Sequence, residues 1–203
     1  MTGAVVLAAG ASSRMGRDKA GLTLPDGRSF LDTIRHTLSL LRIDAVSVVV
    51  APDAASAGEG VVVNPDPSRG MLSSVQCGLS ALPEGTDVVL VWPVDHPRVG
   101  LGTLATLIAA CRAHAAPVVV PKYSGKRGHP VLFAGAALEE LRALPLTATA
   151  ADVVHAHEDR LEMEVGDAGV VDDIDDAEAY ERTYGGNSVE RRLRSPGEDP
   201  QVK

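Results

Sequence analysis

The chain is poor in aromatic residues, in cysteine and in positive charge. Phe, Trp and Tyr make up 3% of its 203 residues, there are two cysteines, and the formal net charge is -8 at pH 7. An acidic chain without clusters of Lys and Arg lacks the electrostatic footprint of a nucleic-acid-binding protein. Apolar runs stay well below the roughly eighteen residues that a membrane span needs, so we expect no membrane partner and a cytoplasmic location. Cys77 and Cys111 lie in apolar helical patterns, which predicts buried free thiols.

What the chain does have is apolar residues, at 45%, and these are mainly Val, Leu and Ala. Short apolar runs alternate with helical periodicity, a pattern typical of an α/β fold. We therefore predict a three-layer α/β/α sandwich with a mostly parallel, Rossmann-like sheet, in one domain over residues 1–184. Residues 185–203 contain few apolar side chains and predict a disordered tail. The predicted strands cover residues 5–9, 46–51, 60–64, 88–94, 118–121, 131–133, 161–165 and 170–174.

The first of these strands leads into a glycine-containing loop with two cations, Arg14 and Lys19. Glycines allow backbone N–H groups to turn toward an anion, so the loop is a candidate phosphate cradle. It is not a P-loop, because five residues separate Gly10 from Gly16 and an arginine follows. It is not the dinucleotide fingerprint G-x-G-x-x-G either, because Ser12 stands where that fingerprint has its second glycine.

Residues 7–19 match the signature L-A-[AG]-G-x-S-x-R-M-G-x-D-K, and on these residues the chain resembles the MobA-like nucleotidyltransferases. The resemblance implies an enzyme with a nucleotide-diphospho-sugar transferase type of fold. It implies that Arg14 and Lys19 act in catalysis by neutralising a bound triphosphate and the departing pyrophosphate. It also implies that the loop holds the nucleotide through Leu7, Ala8, Ala9, Gly10, Ser12 and Ser13.

Carboxylates follow two of the predicted strands. Asp95 ends an almost wholly apolar strand and matches the family's metal-binding Asp-x-Pro, so it is the predicted catalytic ligand of Mg2+. Asp175 is the predicted second ligand, with Asp173 as the alternative, because the segment 173–175 keeps only part of the family's acidic motif. An ordinary helix N-cap is the competing interpretation of these carboxylates.

Two further segments complete the predicted site. The segment 64–74 is similar to a family loop that lies against the base and ribose of the nucleotide. The resemblance therefore predicts that the nucleotide is contacted by Asn64, Gly70, Ser73 and Ser74. An ordinary capped helix is the alternative interpretation of this segment. The basic turn 122–130 resembles an Arg-Gly-His-Pro segment that faces the acceptor in the cytidylyltransferase branch. The resemblance makes Arg127 and His129 candidate contacts for an acceptor phosphate.

Together these residues predict transfer of a nucleoside monophosphate from an NTP to a phosphorylated acceptor, with release of pyrophosphate. In the family that the chain resembles, the form Leu-Ala-Ala-Gly goes more with cytidine, so the resemblance favours CTP over GTP through Ala9. It also implies molybdopterin as acceptor and a molybdoenzyme or its maturation factor as protein partner. Two alternatives stay open. One is a transferase acting on a sugar or polyol phosphate, and the other is a non-catalytic nucleotide-binding maturation module.

Overall fold

The computed structural model describes residues 1–10, 19–54, 58–174 and 178–180. Ser12, Ser13, Arg14, Asp175 and the predicted tail lie outside the described residues, as does the side chain of Lys19. Within the described ranges, no helix combines the length and the apolar character needed to cross a membrane.

The described residues form an eight-stranded sheet flanked by five α-helices. The strands are β1 (Thr2–Ala8), β2 (Ala45–Val50), β3 (Val61–Val63), β4 (Val88–Pro93), β5 (Val118–Tyr123), β6 (Lys126–Arg127), β7 (Val131–Ala134) and β8 (Leu161–Glu164). The helices are α1 (Phe30–Leu40), α2 (Met71–Ala81), α3 (Leu101–His114), α4 (Gly135–Ala143) and α5 (Ala150–Ala156).

The sheet is parallel through its centre and contains two reversed strands, β6 and β7. Strands β3, β2, β1 and β4 lie side by side in parallel. Strand β7 runs antiparallel between β4 and β5, and β8 pairs with β5 in parallel. The predicted mostly parallel α/β sheet is therefore confirmed.

Alternate residues of β1 enter two separate apolar clusters, one on each face of the sheet. Ala4, Val6 and Ala8 pack with side chains of α1 and α3. Val5 and Leu7 pack with side chains of α2, α4 and α5. This alternation produces the predicted three layers, because a central strand that is apolar on both faces needs helices on both sides.

One predicted strand is wrong. Residues Ala168–Val170 form a 3-10 helix, and the described residues that follow, up to Ile174, join no strand. The Asp167 carboxylate accepts the N–H of Gly169 at 2.9 Å, and its other oxygen accepts the N–H of Gly100 at 2.8 Å. The backbone of this segment is thus hydrogen-bonded to a side chain and within turns, and not to a neighbouring strand. The apolar pattern of 170–174 arises because Val170 and Ile174 are buried.

The predicted polar turn after β5 is partly a hairpin. β5 continues to Tyr123 and pairs with β6, so that Lys122 lies opposite Arg127. Ser124 and Gly125 form the turn with φ angles of 51° and 77°. Such left-handed values favour a two-residue hairpin turn.

Candidate active site

The carboxyl end of β1 lies directly beside the carboxyl end of β4. Leu7 pairs with Pro93 in the parallel register, and the Leu7 carbonyl accepts the N–H of Val94 at 3.0 Å. Leu7, Ala8 and Ala9 are buried, and Gly10 is exposed. The predicted nucleotide loop therefore starts at the sheet edge where Asp95 follows β4, which is where ligands bind in open parallel sheets.

Asp95 lies in a turn formed by residues 94–97, which we call the acidic turn. Two hydrogen bonds to its backbone carbonyls hold this turn in place. The indole Nε1–H of Trp92 donates to the His96 carbonyl at 3.0 Å, and the N–H of Ile174 donates to the Asp95 carbonyl at 2.9 Å. The second bond ties the segment that contains Asp173 to the acidic turn, although the two are far apart in sequence. The segment that contains Asp173 therefore lies beside the acidic turn at this edge of the sheet.

Trp92 was not singled out by sequence reasoning. It is the only tryptophan of the chain, and it is fully buried directly before the acidic turn. Its scarcity and its place at the end of an apolar strand were the signals available. Its indole hydrogen bond could be known only from the fold.

Two histidine rings meet beside Asp95. The ring centroids of His96 and His129 are 5.0 Å apart, and His96 Nε2 lies 3.9 Å from the Asp95 carboxylate. Burial lowers the pKa of His96, although the charges of Asp95 and Asp173 oppose this shift. Burial, reinforced by His96, lowers the pKa of His129 to about 4. Both imidazoles are therefore neutral at pH 7.

The Nδ1 atoms of His96 and His129 are buried and have no hydrogen-bond partner among the residues that the structure describes. A neutral imidazole nitrogen donates or accepts one hydrogen bond. His129, which is predicted to contact the phosphate of the acceptor substrate, thus lies beside the acidic turn with an uncharged ring.

Asn64 supports the neighbouring loop through three side-chain hydrogen bonds. The side chain is buried, with 1% exposed. Its Nδ2 donates to the hydroxyls of Ser73 and Ser74 at 2.8 and 2.9 Å, and its Oδ1 accepts the N–H of Asp66 at 3.0 Å. These bonds hold the start of α2 against the end of β3, so Asn64 positions the loop.

Gly70 and the first turn of α2 form the accessible part of this loop. Gly70 has a φ angle of 93°, in the region that favours glycine, and an added Cβ would meet nothing within 4 Å. No side chain caps α2. About two turns further on, a Cβ on Gly78 would lie 2.4 Å from Val5 Cγ1, so α2 packs unusually close to β1.

Carboxylate oxygens are the donors that Mg2+ prefers, and Asp95 and Asp173 provide them at one edge. The side chain of Asp95 is 25% exposed and Asp173 is exposed, so both are reachable from solvent. Among the described residues no group of three or more His, Cys, Asp or Glu side chains has the arrangement of a metal site. The donor set fits an ion that takes most of its ligands from phosphate and water, which is the usual behaviour of Mg2+.

A mostly parallel sheet with an acidic turn at its carboxyl edge belongs to the α/β class, in which ligands bind at that edge. The chain belongs to the family described as the MobA-like NTP transferase domain, whose model matches residues 4–161. The predicted family membership is confirmed.

Individual relatives agree with this assignment. The chain is 38% identical over 131 residues to a molybdenum cofactor guanylyltransferase of Rhizobium johnstonii, a match that covers 63% of this chain and 59% of the relative. The chain thus spans less than two thirds of that relative's length.

Among solved structures, Rv0371c of Mycobacterium tuberculosis H37Rv superposes with a TM-score of 0.77 at 27% identity, covering 91% of this chain and 97% of that one. A structure of Rv0371C in complex with manganese superposes with a TM-score of 0.72 at 24% identity, covering 91% and 98% of the two chains. That second likeness concerns the fold.

Proposed function

We propose that this protein transfers a nucleoside monophosphate from an NTP to a phosphorylated acceptor. The observation that carries the proposal is the acidic turn, which lies beside the end of β1 and is bonded through Ile174 to the second acidic segment. In the reaction an acceptor phosphate oxygen attacks the α-phosphorus, the bond from the α-phosphorus to the bridging oxygen breaks, and pyrophosphate leaves. The acceptor oxygen is already anionic near neutral pH, so positioning and charge neutralisation carry the rate.

Asp95 and one of Asp173 and Asp175 would hold the divalent metal, for which we propose Mg2+. When bound, the metal supplies positive charge to the phosphate oxygens on which negative charge grows. The Asp95 backbone is fixed through its own carbonyl and that of His96, so its carboxylate is positioned before substrates arrive. Such preorganisation lowers the cost of binding the reacting groups.

Arg14 and Lys19 would neutralise the β- and γ-phosphates as pyrophosphate leaves. The exposed Gly10, with Ser12 and Ser13, would bring backbone N–H groups and hydroxyls to the triphosphate. Gly70 and the uncapped start of α2 would add amide donors at the ribose or base, supported from beneath by Ser73 and Ser74.

We propose GTP as the donor. The support is the curated relative named a guanylyltransferase. The expectation of CTP rested on the methyl group of Ala9, but that side chain is 4% exposed and packs in the apolar cluster shared by β1 and α2. A methyl group buried among core side chains has no direct contact with a base, so it gives no physical reason to favour cytosine.

Molybdopterin is the proposed acceptor, on the support of the same relative. A sugar or polyol phosphate is the alternative, since the nucleotide loop would be used in the same way. A molybdoenzyme or its maturation factor remains the proposed protein partner.

Pyrophosphate release, measured for the purified chain with each of the four NTPs against molybdopterin and a panel of sugar phosphates, tests the proposal. We expect the fastest release with GTP and molybdopterin, and none without a divalent metal. Faster release with CTP would overturn the donor assignment. Tight NTP binding with no release for any acceptor would replace the enzyme by a nucleotide-binding maturation module.

The Asp95→Asn variant tests the metal assignment. We expect turnover to fall about a hundredfold or more with the thermal midpoint nearly unchanged, because the carboxylate is partly exposed and acts on charge that develops in the reaction. Asp44→Asn is the matched control, an exposed carboxylate directly before β2 at the opposite edge of the sheet. Full activity of Asp95→Asn would remove this residue from the mechanism.

A further inference from the structure

Three cationic side chains converge on one carboxylate at the β5 and β8 side of the sheet. Glu162 Oε1 accepts from Arg160 Nε at 3.0 Å and from a guanidinium nitrogen of Arg127, and Glu162 Oε2 lies 3.4 Å from Lys122 Nζ. We call these four residues the Glu162 cluster. The hydrogen bonds from Arg160 and Arg127 lower the pKa of Glu162 to about 2, so the carboxylate is ionised at every physiological pH.

Part of the cluster lies at the same edge of the sheet as the acidic turn. Lys122 and Arg127 pair at that edge, whereas Glu162 is level with Val120 within β5 and Arg160 directly precedes β8. β5 runs parallel to β4, because each is antiparallel to β7, so Lys122 near the end of β5 is at the carboxyl edge. Arg127 is two residues from His129, whose ring lies 5.0 Å from that of His96. The same chain segment therefore connects the cluster with the proposed catalytic edge.

The cluster carries more positive charge than its carboxylate can neutralise. Three cations and one carboxylate leave a formal charge of +2 on these four residues. The side chains of Lys122, Arg160 and Glu162 are 28%, 22% and 25% exposed, so bulk water screens them only in part. Arg127 is the most exposed member, at 40%. One Arg would suffice for an ordinary ion pair, and adding like charges in a half-buried place costs stability.

An anion with two negative charges would make the assembly neutral. Guanidinium groups match the oxygens of phosphate in a planar, two-bond geometry, and Lys adds a point charge. The Glu162 carboxylate already occupies one such position, with two oxygens shared among three cations.

We propose that Lys122, Arg127 and Arg160 form a binding site for a phosphate-type dianion of the acceptor, and that Glu162 is an internal competitor that occupies this site in the free protein. The identity of the ligand as the acceptor rests on the function proposed above. The anion site itself does not, because it needs neither nucleotide nor metal.

One substitution distinguishes an internal competitor from a structural ion pair, because the two roles predict opposite changes in phosphate affinity. Glu162→Gln keeps the shape of the side chain and removes its charge. We expect it to bind inorganic phosphate about tenfold more tightly than the wild type, read from the arginine Nε–H signals in NMR titrations at low salt. Adding Arg160→Gln to this variant should reverse the gain.

Asp26→Asn is the matched control. It frees Arg28, which donates to the Asp26 carboxylate at 2.9 and 2.7 Å, but leaves a single exposed cation. We expect no gain in phosphate binding from it. Phosphate binding by Glu162→Gln that is equal to or weaker than that of the wild type would overturn the proposal.

Turnover measurements then test the ligand's identity. In Arg160→Gln we expect the acceptor KM to rise about tenfold with the NTP KM unchanged. An unchanged acceptor KM would overturn the assignment to the acceptor. If the phosphate titrations give the expected signs while no NTP yields pyrophosphate, the anion site stands and the proposed enzyme function falls.

Discussion

Replacing Asn64 by alanine tests whether the start of α2 is held by the buried amide. The substitution removes three hydrogen bonds, of 2.8, 2.9 and 3.0 Å, from a side chain that is 1% exposed. At about 1 kcal/mol for each bond, the free energy of unfolding should fall by about 3 kcal/mol. For a chain of this size that loss corresponds to a fall of about 6–12 °C in Tm.

Urea unfolding followed by circular dichroism measures this loss. If the free energy of unfolding falls with urea concentration at the same slope as in the wild type, only stability has changed. We also expect the NTP KM to rise, because Ser73 and Ser74 lose the donor that fixes the first turn of α2. Gln76→Ala is the matched control. Gln76 lies on the same helix and its Nε2 donates to the carbonyls of Leu141, Arg142 and Leu144, so its loss should destabilise the fold without changing the NTP KM.

Two results would refute this reasoning. A loss below about 1 kcal/mol in Asn64→Ala would mean that the bonds contribute little to stability. A raised NTP KM with full stability would mean that Asn64 contacts the nucleotide directly, as the sequence alone had predicted.

Three further predictions concern the acidic turn. Trp92→Phe removes the indole donor to the His96 carbonyl, so we expect a higher metal concentration for half-maximal turnover; an unchanged metal titration would contradict this. Because Trp92 is the only tryptophan, Mn2+ should quench the protein's tryptophan emission, and Asp95→Asn should abolish the quenching. The pKa of His129 is about 4 in the folded protein and about 6.5 when unfolded, so only the unfolded chain takes up this proton between those values. Stability should therefore fall as pH drops from about 6.5 to about 4, and urea midpoints at pH 7.5 and 5 should differ less in His129→Asn than in the wild type.

The central strands could be predicted from sequence because they are buried on both faces. Residues 5–9 were predicted and Thr2–Ala8 is observed, and residues 88–94 were predicted where Val88–Pro93 is observed. Runs without a polar member have few other solutions in an α/β chain. The boundaries differ by a few residues because strand ends are set by pairing partners.

Elements stabilised by side-chain hydrogen bonds were harder to predict. Helix α5 was missed, although Thr149 and Asp152 form a capping box at its start. The expected strand at 170–174 failed because Asp167 bonds the backbone of Gly169 and the start of α3. In both places a short polar side chain decides the local structure.

The candidate site divides in the same way. Asp95 could be predicted, since its place after an apolar strand follows from local sequence. The roles of Trp92 and Glu162 depend on partners that the fold brings together from distant segments, and no local pattern contains them. Ala9 was given a role in base choice from its place in the loop, whereas its burial in the core is a property of the packed structure.

Strand β7 runs opposite to its neighbours β4 and β5, and this changes which residues lie at the carboxyl edge of the sheet. Where a strand runs parallel to β4, the residues that follow it lie at that edge, as Asp95 does after β4. Where a strand runs antiparallel to β4, the residues that precede it lie at that edge. Val131 at the start of β7 accordingly pairs with Val91 near the end of β4. His129 therefore lies against His96 of the acidic turn, although the strand that follows it runs away from this edge. Segments before and after strands can vary independently in sequence, so under the proposed function this sheet order allows the acceptor side of the site to change while the nucleotide side stays constant.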